Sequence, residues 1–101
     1  MSIHSRERWH GMSIAEQMGN IGSEYARCVS NPESRQAMGR LDDLFDLTLS
    51  DRRLTDRYSE IARLREVAIG SLQSQNHEER KFLTSYFLQF GMLACKNRDR
   101  L

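Results

Sequence analysis

Helix-period apolar stripes, each announced by a start signal, run from Ser13 to Lys96 and leave little of the chain for any other secondary structure. Ser13-Ile14-Ala15-Glu16 has the form of a capping box, in which Ser13 is the N-cap and Glu16 reaches back from the third helical position. Ile14, Met18, Ile21, Tyr25 and Cys28 then recur at spacings of four, three, four and three, which is one face of a helix. A second row on that helix, Ala15, Gly19, Gly22 and Ala26, is built of small residues. Its two glycines weaken the helix by about 1–2 kcal/mol relative to alanine. Close approach of a neighbouring backbone would offset that loss.

Asn31-Pro32 reads as a restart, with Asn31 as N-cap and Pro32 at the first helical position. Met38, Leu41, Leu44, Phe45, Thr48 and Leu49 form the face of this second helix, and Ser50-Asp51 ends it and can cap the next. Leu54, Tyr58, Ile61, Leu64, Ala68 and Leu72 supply the third stripe. Asn76-His77-Glu78-Glu79 opens the fourth helix, its two acids placed to suit the helix dipole. That helix is the most apolar. Phe82, Leu83, Tyr86, Phe87, Phe90, Leu93 and Ala94 fill one broad arc, and Leu88, Met92 and Cys95 form a narrower stripe on the opposite side. A helix apolar on two sides contacts something beyond its own core. For Leu88 and Met92 that is a second copy, a partner, or the N-terminal leader.

The reading is therefore an all-α protein: an antiparallel up-down-up-down four-helix bundle over residues 13–96, after an irregular leader (1–12) and before a short basic tail (97–101). A length of 101 residues suits one such domain, and 39% hydrophobic against 29% charged residues supports a core. The net charge of +1 gives no global nucleic-acid or membrane signature. There is no apolar run long enough to span a bilayer, and the leader lacks the apolar segment of a secretory signal, so the expected location is cytoplasmic. Cys28 and Cys95 each fall near the end of their helices. In an antiparallel bundle this separates them by roughly 25 Å, too far for a disulfide.

Candidate chemistry is sparse. Asp42, Asp43 and Asp46 lie close together, and Asp42 and Asp46 share a helix face. Such carboxylates can serve a hard metal or acid–base work, but no second acidic motif and no Glu-x-x-His pair accompanies them, and a solvated acidic face is the plainer reading. No metal or cofactor is implied. Arg65 falls on the apolar face between Ile61 and Ala68, which calls for an internal ion pair, with Asp46 and Glu24 as candidate partners. None of His4, His10 and His77 stands at metal-ligand spacing with a cysteine. Arginines concentrate at two places, Arg6 and Arg8 beside Trp9, and Arg52, Arg53 and Arg57. Together they could grip phosphates and stack on bases, although Asp51, Asp56 and Glu60 dilute the second cluster. Helical ribonucleases of the HEPN type need an Arg several residues before a His; here Arg80 follows His77, the wrong order.

Met12-Ser13-Ile14-Ala15-Glu16-Gln17-Met18, Asn20-Ile21-Gly22-Ser23-Glu24, Asp46-Leu47-Thr48, Leu64-Arg65-Glu66 and Tyr86-Phe87-Leu88-Gln89-Phe90 together resemble a family of short, uncharacterised, all-helical prokaryotic proteins, over about Trp9 to Arg98. The resemblance carries no activity, so it transfers no catalytic residue. In outline the chain is also similar to four-helix bundles of the S23 and retroelement-accessory type, which implies ring-like oligomers that bind nucleic acid or a polymerase. The leading expectation is a non-enzymatic module that self-associates or docks a protein through the fourth helix, at Leu88, Met92 and Cys95. The alternatives are a nucleic-acid-binding accessory protein using the Arg/Trp surface, and a metal-dependent enzyme using Asp42, Asp43 and Asp46. No small-molecule substrate is identifiable.

Overall fold

A computed structural model describes residues 6–74 and 76–99. Its elements are α1 (Arg6–His10), α2 (Ile14–Ser30), α3 (Arg35–Leu49), a 3₁₀ helix (Arg52–Arg57), α4 (Tyr58–Ser74) and α5 (His77–Asp99), so the described residues are all-α with no strand. The four predicted helices correspond to α2, α3, α4 and α5. None is long and apolar enough to cross a membrane.

Three boundaries differ from the sequence reading. The leader is not irregular throughout, because Arg6–His10 forms a helical turn that buries Trp9. The Asn31-Pro32 signal marks a turn rather than a helix start. The Ser34 N–H donates to the Asn31 carbonyl at 3.0 Å, which puts Pro32 second in a β-turn, where its fixed φ also fits. Ser34 is the true N-cap of α3, and its side chain accepts from the Ala37 N–H. Beyond Ser50, Asp51 caps the 3₁₀ helix by accepting from the Arg53 N–H. The change from three to 3.6 residues per turn shifts the phase of the third stripe, leaving Tyr58 exposed while Ile61, Ala68 and Leu72 are buried.

The core gathers Met18, Ile21, Tyr25 and Cys28 of α2, Leu41, Leu44 and Phe45 of α3, Ile61, Ala68 and Leu72 of α4, and Leu83 and Phe87 of α5. Full burial of each large side chain contributes about 1.5–3 kcal/mol. The closest seam joins α2 to α5. Gly19 lies against Gly91 and Gly22 against Phe87, so residue numbers fall on α5 as they rise on α2. A Cβ on Gly22 would stand 2.4 Å from Phe87 Cβ, and one on Gly19 would stand 3.1 Å from Gly91 Cα. The small-residue row is thus the surface on which α5 lies.

Polar bonds tie the remaining seams. Tyr25 and Ser71 share a buried hydroxyl pair at 2.6 Å that joins α2 to α4. Arg80, on the buried side of α5, donates from Nε to the Ser71 carbonyl (3.0 Å) and from Nη2 to the Leu72 carbonyl (2.7 Å). It supplies partners and positive charge for carbonyls that the last turn of α4 leaves open.

Candidate interaction surface

The α5 helix begins with Asn76, whose Oδ1 accepts from the Glu79 N–H at 3.1 Å, and Glu78 and Glu79 occupy its first turn. From Phe82 to Cys95 it then carries no charged residue. In a chain that is 29% charged, an uncharged run of that length would ordinarily be an interior helix. This one is not interior. Leu83, Phe87 and Ala94 are buried and Tyr86 and Phe90 half-buried, but Phe82 is 68% exposed, Met92 64%, Leu88 61% and Leu93 46%. Leu88, Met92 and Cys95 all lie exposed, as their stripe requires. Phe82 and Leu93, assigned to the same arc on sequence grounds, are exposed with them, because the facing helices cover only the side of that arc that carries Leu83, Phe87 and Ala94. The described part of the leader does not cover Leu88 or Met92; α1 packs on α3 instead.

The aromatic side chains of this helix contact one another. Phe82 stacks on Tyr86 at 6.5 Å between ring centroids, and Tyr86 meets Phe90 edge to face at 5.3 Å. Beside Leu88 runs a shallow groove lined by Gly19, Gly22, Ala26, Thr84, Phe87 and Gly91, where the α2–α5 seam meets solvent. A partner side chain could rest there against backbone.

The arginine and tryptophan residues do not form one nucleic-acid surface. Trp9 is fully buried and donates from Nε1 to Thr48 Oγ1 at 2.8 Å, so it has no face to offer a base. Arg53 is exposed but folded back onto the protein's own backbone. It pairs with Asp51 (2.6 Å) and donates from Nη2 to the carbonyls of His10 (2.9 Å) and Met12 (2.7 Å). Arg6, Arg8, Arg52 and Arg57 are exposed.

The Arg53–Asp51 pair belongs to a lock that sequence inspection missed. Gln17 Nε2 donates to the Trp9 carbonyl (3.1 Å) and to Asp51 Oδ2 (2.9 Å), and His10 Nε2 donates to the Leu47 carbonyl (2.9 Å). The Arg53 hydrogen bond, aided by that from Gln17, holds the Asp51 carboxyl well below the usual range against the opposing effect of burial. Gln17 Oε1 is left without a partner. No local spacing signals this network, because its members come from four separate stretches of chain.

Among the acidic residues, Asp42 and Asp46 both accept from Arg65, through Nε to Asp42 (2.9 Å) and Nη1 to Asp46 (2.7 Å). Asp43 is exposed in a groove shared with Arg6 and Ser50. Of the two partners considered for Arg65, Asp46 is in reach and Glu24 is not. Glu24 is buried and accepts instead from Arg27 (2.9 Å) and Arg40 (2.5 Å). Among the described residues no three of His, Cys, Asp and Glu group as metal ligands would. Burial, with the Glu24 carboxylate second, pushes the Cys28 thiol up to about 11, so it is a protonated core group at neutral pH. Arg80 was legible in part: it lies three residues before Leu83 on the buried line of α5.

With the geometry of α5 in view, no protein family, curated protein or solved structure matches the chain.

Proposed function

We propose that this protein is a non-enzymatic interaction module that docks protein through the outward face of α5. The observation that carries this is the exposure of Phe82, Leu88, Met92 and Leu93 on a helix segment without a single charge. Large apolar side chains left exposed along one helix suit a protein-interaction surface. In this reading α2, α3, α4 and α5 form an antiparallel up-down-up-down bundle, and the tight α2–α5 seam presents the face on a rigid support. The short connections and the opposed directions of α2 and α5 support that arrangement.

The test compares wild type with Met92→Asp and Leu88→Asp as immobilised baits, each half-treated with nuclease. Circular dichroism of all three is expected to match, because both side chains point away from the core. Nuclease-resistant protein retained by wild type and lost by both variants is the expected result. Retention unaffected by the substitutions would overturn the reading. Retention lost on nuclease treatment, with affinity falling steeply with salt, would shift it to nucleic acid bound through Arg6, Arg8, Arg52 and Arg57.

A further inference from the structure

We infer that the occupant of the α5 face is α5 of a second copy of this chain, packed antiparallel about a two-fold axis. This inference rests on α5 being the docking face and adds the partner, its direction and its register. The outward line of α5 reads Glu78, Phe82, Ser85, Gln89, Met92 and Lys96, at spacings of four, three, four, three and four. All six are exposed. That alternation is the seam of a helix pair, and it covers about 27 Å of helix. Leu88 flanks it on one side, Tyr86 and Leu93 on the other.

The seam is self-complementary in one direction only. An antiparallel partner whose two-fold axis passes midway between Ser85 and Gln89 sets Glu78 opposite Lys96 of the other copy, at both ends. Phe82 then meets Met92, the Ser85 hydroxyl meets the Gln89 amide, and beside the axis Leu88 meets its own copy on one flank and Tyr86 its own copy on the other. Phe82, Tyr86, Leu88 and Met92 each meet an apolar surface, and the charges of the seam, Glu78 and Lys96, each meet their opposite. The central polar layer hydrogen-bonds across the axis, a device that selects register at modest loss of stability. A parallel partner in register would instead oppose Glu78 to Glu78 and Lys96 to Lys96. An unrelated partner would have to reproduce this pattern of charge and shape; a second copy carries it already. One helix pair is a small interface, so the midpoint of dimerisation is expected in the roughly micromolar range.

Sedimentation equilibrium of the purified full chain, from about 1 to 200 μM, tests the inference. Wild type is expected to pass from monomer to dimer. Met92→Asp should weaken dimerisation by about a hundredfold with unchanged helicity, since it buries an unpaired charge. The decisive series reverses the end charges. Glu78→Lys and Lys96→Glu should each weaken the dimer by about tenfold, and the chain carrying both should regain wild-type affinity within about threefold. These charge reversals leave Phe82, Tyr86, Leu88, Met92 and Leu93 unchanged, so they decide the matter even if Met92→Asp does not fold. A wild type that stays monomeric throughout overturns the second copy as occupant, while nuclease-resistant retention of another protein would leave the docking face standing. A dimer that the double reversal does not rescue overturns the antiparallel register. Unfolding of both Met92→Asp and Leu88→Asp would make the stripe core, and the docking face would fall with the inference.

Discussion

Asp51 has three tasks, all performed in near-complete burial. Its carboxylate caps the 3₁₀ helix through the Arg53 N–H, pairs with the Arg53 guanidinium, and accepts from Gln17. Its folded pKa is depressed, chiefly by the Arg53 bond. An unfolded Asp titrates near about 4. The stabilisation from Asp51 is therefore complete above that pH and is lost as pH falls from there through the folded value. Asp51→Asn is expected to reduce stability by about 1–3 kcal/mol at pH 7, with the difference from wild type shrinking below about pH 4. Urea melts at neutral and acid pH measure this; a difference that stays constant would show that the charge is not its source. Little of this was legible beforehand. Asp51 could be recognised as a cap because caps act within three residues, but Gln17 is 34 positions away, and no sequence pattern joins them.

Glycine has opposite consequences in α2 and α3. At Gly22 an added Cβ meets Phe87 Cβ at 2.4 Å, and at Gly39 it meets nothing within 4 Å. Gly22→Ala is expected to destabilise by about 1–3 kcal/mol through overpacking, whereas Gly39→Ala, on an exposed helix interior, should stabilise by about 0.5–1 kcal/mol. Thermal melts of the pair read the contrast, and equal shifts would reject the close α2–α5 contact. The helices themselves were legible because their causes are local. The Ser13–Glu16 box forms as read, with both bonds in place, and the Met18–Ile21–Tyr25–Cys28 face is buried throughout. The start of α3 was not, because Asn31-Pro32 serves a turn as well as a cap. The width of the buried arc on α5 also escaped: Phe82 and Leu93 satisfy its periodicity and still face solvent.

At the scale of the molecule, α1 acts as a plug. Trp9 is wholly enclosed and bonded to Thr48 across 39 positions, and Arg53 clamps the chain behind it at the His10 and Met12 carbonyls. Trp9→Ala should therefore remove about 3–5 kcal/mol, a large share of the stability typical of a domain this size. The urea midpoint measures it; a loss below about 1 kcal/mol would show that α1 is not part of the cooperative unit. The candidate surface divides in the same way. Leu88 and Met92 could be picked out because a stripe opposite a core arc is a local property of one helix. Trp9 could not be placed, since a single aromatic in a short segment has no periodicity to orient it. What the sequence by itself determined was the number of long helices, the side of each that seeks burial, and most of their caps, all of which depend on groups within a turn or two of one another. Only the tertiary structure decided which apolar side chains were covered, which arginines were consumed internally, and that α5 kept its outward face open, because those outcomes depend on which helix lies across which, at separations of tens of residues.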